Sequence, residues 1–275
     1  MILTFSKMHG LGNDFVLLDQ RVHALDLSST QIQLIADRRY GIGCDQLLVL
    51  DKPHNPRAQA NYRVVNADGT PAEHCGNGIR CVARYLQRLG EIENDTVEIE
   101  IGNTLYSLII EGENVRVDMG EPEFDPISIP LAVEARQESY RLNSADQALH
   151  FGAVSMGNPH AVFAVDDVDT APVKELGLRL QDCELFPQKV NAGFAQFCLP
   201  THIKLRVFER GAGETQACGT GACAAVAVGR QWGRCERRVD VDVRGGRLTI
   251  EWDGPGHTLW MIGPATHVYE GTIEI

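Results

Sequence analysis

The chain has 275 residues, 44% apolar and 23% charged, with a formal charge of −12. That length holds one large domain or two of ordinary size. The acidic balance, with no basic run, argues against nucleic acid and anionic membranes as partners, since both reward clustered Lys and Arg.

Residues 1–7 lack a charged region followed by a long apolar one, so no signal peptide is expected. No stretch approaches the roughly 20 apolar residues of a bilayer span, and the expected location is cytoplasmic. Gly10-Leu11-Gly12-Asn13 is no dinucleotide fingerprint, because it lacks the third glycine and a preceding strand. Short strands bounded by Gly, Asn and Asp turns are predicted at 61–66, 96–101 and 114–119. Between the first two, Ile79, Val82, Ala83 and Leu86 recur at helical spacing and predict a helix with one apolar stripe. Pro122, Pro126 and Pro130 favour an extended connector over 120–130. Further strands are predicted at 203–209, 238–243 and 247–252. Ala222 through Val228 is apolar all round, so that helix must be enclosed on every side. Residues 266–275 read as a last strand that crosses back onto the first half.

The chain looks like a fused duplication. Residues 12–19 are echoed by 157–166, and Tyr62-Arg63-Val64-Val65-Asn66 by Leu205-Arg206-Val207-Phe208-Glu209. Asn66 lies nine residues before Cys75, and Glu209 lies nine before Cys218. Three landmarks in one order, about 143–145 positions apart, carry the repeat. The expected fold is α+β: two pseudo-symmetric domains, each a mostly antiparallel sheet or barrel wrapped around a central helix. The halves are placed at 1–118 plus 264–275 and at 119–263, with the active site in the cleft between them.

The chemistry lies in two matched turns, Cys75-Gly76-Asn77-Gly78 and Cys218-Gly219-Thr220-Gly221, each running into a helix. A helix N-terminus offers unpaired N–H groups and partial positive charge, which bias a cysteine toward thiolate and hold an anion. The effect lowers a thiol pKa from about 8.5 by only ~0.2–1.5 units, and a second adjacent thiolate is disfavoured. One thiolate and one thiol is the expected resting pair. That pair can take a proton from one face of a carbon and return one to the other. Cys44, Cys81, Cys183, Cys198, Cys223 and Cys235 are expected as small buried hydrophobes. Cys75 to Cys81 and Cys218 to Cys223 are six and five residues apart, roughly 120–140° apart around a helix, so shared metal ligation is disfavoured. Arg210 could clamp a second carboxylate and Glu209 an ammonium. Asn13, Asn66, Asn158 and Asn191 sit at strand–turn junctions, where asparagine often only forms turns. His160 is a turn histidine, a ligand contact or neither.

Residues 7–15, Asn66-Ala67-Asp68-Gly69 leading to Cys75-Gly76-Asn77-Gly78, residues 155–160 and above all residues 209–221 resemble the diaminopimelate epimerases, and the resemblance spans the chain. It implies a cofactor-free isomerase interconverting LL- and meso-2,6-diaminoheptanedioate for lysine and peptidoglycan, with no metal. It implies Cys75 and Cys218 as catalytic acid and base, and amides at Gly76, Asn77, Gly219 and Thr220 around the reacting carboxylate. Asn13, Gln46, Asn66, Asn158, Asn191, Glu209 and Arg210 would position the amino groups and the distal end. His160 would support the site, and Tyr269 would be a contact in a homodimer. Position 220 carries Thr where the family often has Ser, and His74 beside Cys75 is less usual. A proline or hydroxyproline racemase would use a similar cysteine pair, but a monocarboxylic substrate has no use for a distal clamp. A redox or metal-binding protein using the thiols as ligands is the alternative of a different class.

Overall fold

The computed structural model describes residues 1–72, 76–143 and 148–275. They divide into two compact units, residues 1–117 with 262–275 and residues 118–261. The first contains β1 (Ile2–Gly10), β2 (Asn13–Asp19), α1 (Ser29–Ala36), β3 (Gln46–Asp51), β4 (Ala60–Asn66), β5 (Pro71–Ala72), α2 (Gly76–Arg88), β6 (Thr96–Ile101), β7 (Thr104–Glu111) and most of β8 (Asn114–Asp118). The second contains β9 (Tyr140–Asn143), β10 (Ala148–Ser155), β11 (Pro159–Ala164), α3 (Val173–Gln181), β12 (Asn191–Leu199), β13 (His202–Glu209), β14 (Gly213–Glu214), α4 (Gly219–Gln231), β15 (Arg238–Val243), β16 (Gly246–Trp252) and the start of β17 (Leu259–Pro264). The final strand, β18 (Thr266–Glu274), returns to the first unit and pairs antiparallel with β1, as the sequence suggests.

The duplication is visible strand by strand. In the first unit β1 and β2 are antiparallel, β2 and β3 parallel, β3 and β4 antiparallel, β4 and β6 parallel, and β6 and β7 antiparallel. In the second, β10 to β13, β15 and β16 repeat this order and these senses. The short β5 and β14 each add to the end of β4 and β13. The register repeats too: Phe15 lies opposite Gln46 as His160 lies opposite Asn191, each 145 residues later.

Each sheet is covered on both faces. On one, Val16, Leu18, Leu47 and Val49 pack with Ile32 and Ile35 of α1. In the second unit Phe151, Phe163, Phe186 and Phe194 pack with Val173, Leu176 and Leu180 of α3. On the other face run the central helices, because alternate residues of a strand point to opposite sides. Helix α2 touches β1, β2, β6, β7 and β18, and α4 touches β10 to β13 and β16. Ile79, Cys81, Val82, Ala83 and Leu86 of α2 are fully buried, as is every residue from Ala222 to Val228. Cys81 and Cys223 thus occupy cores as expected.

Two expectations are corrected. The connector is not extended throughout: residues 126–130 form a turn in which Ile129 N donates to Asp125 O at 3.1 Å. Asp125 caps it by accepting from Ile127 N at 2.9 Å, and Pro126 stands where a helical turn tolerates proline. The turn buries Ile129 and Leu131. Cys183 and Cys235 are half-buried rather than buried, and Cys198 is exposed, because the β12–β13 register slips between Phe197 and Leu199 and carries that hairpin end off the core.

Candidate active site

Cys218 is itself the N-cap of α4. Its backbone is extended (φ −113°, ψ 107°) and its sulfur accepts from Gly221 N at 3.4 Å, with the Thr220 hydroxyl 3.6 Å away. Glycine at 221 is required by space, since a Cβ there would lie 2.9 Å from Val207 and 3.2 Å from the Cys218 sulfur. Gly219 and Thr220 supply the first-turn amides, as anion binding at a helix N-terminus demands. Cys218 is only 4% exposed. Burial pushes its thiol well up, the Glu209 carboxylate pushes it further, and the Thr220 and Gly221 hydrogen bonds do not offset this. The helix terminus alone therefore does not set this ionisation, and Cys218 holds its proton.

Glu209 ends β13 and Arg210 follows it. Thr215, from the turn that begins at β14, donates its hydroxyl to Glu209 Oε1. Burial raises the Glu209 carboxyl, while hydrogen bonds from Thr215 and the Cys218 thiol oppose the rise. Arg210 is held by its backbone N–H, which donates to Asn191 Oδ1 at 2.8 Å, and by its guanidinium, which donates to Gln188 O at 2.9 Å. Asn191 is buried, so its role here exceeds that of a turn former.

His160 lies in β11 and is 1% exposed. Its Nε2 sits 2.8 Å from Asn158 Oδ1, and its Nδ1 has no hydrogen-bond partner among the described residues. Burial, then the nearby Arg210 charge, drives its pKa down to about 3, so the ring is neutral. The unfolded chain takes this proton near pH 6.5 and the folded chain near pH 3. Stability should therefore fall as pH drops through that window. Between pH 6.5 and 5 the wild type is expected to lose about 1.5 kcal/mol more than His160→Gln in urea unfolding. Equal losses would mean that the folded ring charges readily.

The first unit repeats the arrangement. Helix α2 starts at Gly76 just as α4 starts at Gly219; Cys75 and its neighbour His74 lie outside the described residues. Gln46 Nε2 donates to Asn66 Oδ1 at 3.0 Å, and Asn66 Nδ2 donates to Thr70 Oγ1 at 3.1 Å. Asn77 is buried and donates to Asn13 Oδ1 at 3.2 Å. The structure thus joins Gln46 with Asn66 and Asn13 with Asn77. In the second unit it joins Asn158 with His160, Asn191 with Arg210, and Glu209 with Cys218. Tyr269 stands apart on β18, 44% exposed and edge-on to Phe5 at 5.8 Å between ring centroids. Sequence reasoning missed Thr215 and Thr70, which hold Glu209 and Asn66; their places after each echoed strand were the available signal.

The model of the family described as diaminopimelate epimerase matches residues 5–124 and 152–268, both repeats. The chain belongs to the diaminopimelate epimerase family. Its relatives in the fold are solved structures of low identity. One is a hydroxyproline epimerase from Agrobacterium vitis with bound trans-4-hydroxy-L-proline, 14% identical with a TM-score of 0.71, covering 99% of this chain and 92% of that one. Another is a Bacillus anthracis phenazine biosynthesis protein of the PhzF family, 16% identical with a TM-score of 0.68 and full coverage of both chains. A methylitaconate-delta-isomerase matches at 12% identity and a TM-score of 0.64, covering 99% of this chain and 95% of that one. The family places the chain among isomerases and epimerases, and these neighbours share its two-domain, pseudo-symmetric α+β fold. Among the described residues no helix is long and apolar enough to cross a membrane.

Proposed function

We propose that this protein interconverts LL- and meso-2,6-diaminoheptanedioate without a cofactor, by a two-base mechanism at Cys75 and Cys218. The reading is carried by the grouping of an N-capping thiol with a half-buried carboxyl, Glu209, and a guanidinium, Arg210, on consecutive residues. Glu209 suits an α-ammonium. Arg210 suits a second carboxylate, which a proline-type substrate does not have.

Cys75, as thiolate, removes the α-proton and becomes a thiol, leaving the electron pair on the α-carbon and its carboxylate. First-turn amides at Gly76, Asn77, Gly219 and Thr220 hold that carboxylate most strongly as its charge grows, which favours the transition state. Cys218 then gives its proton to the opposite face and becomes the thiolate. The reverse direction swaps the roles, so each turnover leaves the enzyme ready for the other isomer. Asn13, Gln46, Asn66, Asn158 and Asn191 fix the amino groups and the distal end, with His160 supporting the second turn as a neutral ring. Tyr269, exposed on the outer strand β18, is proposed to meet a second copy in a homodimer.

The test is a cofactor-free assay with the LL isomer in deuterated water, with L-proline and trans-4-hydroxy-L-proline in parallel. Early meso product should carry solvent deuterium while unreacted substrate stays unlabelled. Equal early labelling of both pools would show a single base. Turnover of the proline substrates alone would reject the dicarboxylate.

A further inference from the structure

Among the described residues Arg80 is the largest fully buried side chain, at 0% exposure inside α2. It ties the first turn of that helix to its surroundings: Nη1 donates to Gly76 O at 3.1 Å, and Nε donates to Pro264 O at 3.2 Å. Its Nη2 donates to Asn77 Oδ1 at 2.8 Å. Asn77 Nδ2 in turn donates to Asn13 Oδ1 at 3.2 Å, and Asn13 Nδ2 donates to Asp45 Oδ2 at 3.0 Å. The four residues form one line of hydrogen bonds with a cation at one end and a carboxylate at the other.

That line has only one direction. A guanidinium can only donate and a carboxylate can only accept. Asn77 must therefore turn its oxygen to Arg80, which leaves its NH2 for Asn13. Asn13 must accept with its oxygen and give its NH2 to Asp45. Flipping either amide would set NH2 against guanidinium or oxygen against carboxylate. Both ends are anchored. Asp45 also accepts from Asp14 N at 3.1 Å and pairs with Arg38 Nη2 at 2.7 Å. Arg38 and Lys7 both bind Asp14; burial opposes its ionisation, but they outweigh burial and bring its carboxyl down to about 2. Gly10 allows β1 to lie against the chain, since a Cβ there would come within 3.1 Å of Arg80 Nη2 and 3.2 Å of Asn77 Cβ.

We propose that Arg80 and Asp45 are positioning residues that together fix the amide orientation of Asn13 and Asn77, so that a substrate meets both with donor and acceptor ends preassigned. Neither needs to touch the substrate. Alternating charged and amide groups strengthen one another along such a chain, and a misplacement of about 1 Å costs on the order of 100-fold in rate. The kinetic consequence rests on the epimerase reading above; the geometric one does not.

The test compares wild type, Asp45→Ala, Arg80→Met, Arg80→Lys and the Asp45→Ala/Arg80→Met double variant. Each removal should lower kcat/KM for the LL isomer about 10- to 100-fold, with Arg80→Lys recovering most of it. The double variant should fall within about threefold of the worse single one, because a second cut in one line adds little. In ¹H–¹⁵N spectra, Asp45→Ala should shift the Asn77 side-chain amide and Arg80→Met that of Asn13, while Arg80→Lys, which keeps a donor, should hold the Asn13 amide near its wild-type position. Wild-type kcat/KM in Asp45→Ala, multiplicative losses in the double variant, or an unmoved far amide would overturn the proposal. Should Arg80→Met fail to fold, Asp45→Ala and Arg80→Lys still decide, since Asp45 is exposed. A wild type inactive on diaminoheptanedioate would overturn the functional reading, and the amide shifts would then judge the relay.

Discussion

Replacing Cys218 with alanine is expected to lower kcat for epimerisation by at least about 1,000-fold, from the upper part of what a positioned proton donor contributes. The informative partner is Cys218→Ser. Cys218 caps α4 through Gly221 N, and serine is among the preferred capping residues. Serine should therefore keep or raise the melting temperature while turnover is still lost, because a hydroxyl does not ionise in the range the reaction needs. That outcome separates the proton-transfer role from the capping role. Cys75→Ala should match Cys218→Ala in kcat, since the two residues occupy the same place in the two repeats. Retained turnover in either alanine variant would refute a two-base mechanism.

Glu209→Gln is expected to have two separable effects. The amide oxygen can still accept from Thr215, so the local fold should hold. The Glu209 charge raises the Cys218 thiol, second only to burial. Removing it should lower that pKa, and alkylation of Cys218, followed by peptide mass spectrometry, should accelerate at lower pH than in wild type. Loss of a partner for the substrate ammonium should raise KM about 10- to 100-fold, the range for a hydrogen bond to a charged group. An alkylation profile unmoved or moved to higher pH would show that the carboxylate does not govern the thiol.

The repeat was legible because it is local. Asn66 and Cys75 stand nine residues apart, as do Glu209 and Cys218, and those spacings carried the duplicated topology, the two central helices and the capping cysteine. Strands at 96–101 and 238–243 coincide with β6 and β15 because alternating patterns end at clear turns. What the sequence hid is long-range. Asn13 meets Asp45 and Asn77 across 32 and 64 residues, and no periodicity reports such a pairing. Arg80 offered no such signal, because it lies about 100° around the helix from Ile79, beside the apolar stripe rather than on it. Which cysteine of the expected thiol–thiolate pair keeps its proton was hidden for the same reason: the helix terminus is written in the sequence, whereas the burial that raises the Cys218 thiol is made by the assembled fold. Cys198 shows the converse, a nominally apolar residue exposed by a slip in strand register.

The strand that covers β1 is encoded after the whole of the second unit. During synthesis the ribosome must therefore finish residues 118–261 while the edge of β1 waits bare, exposing the kind of unpaired backbone that recruits other chains. The second unit, continuous in sequence, can close first. A message cut short before codon 262 would leave the first unit unfinished with its edge open, and such nascent chains should be the ones that chaperones retain.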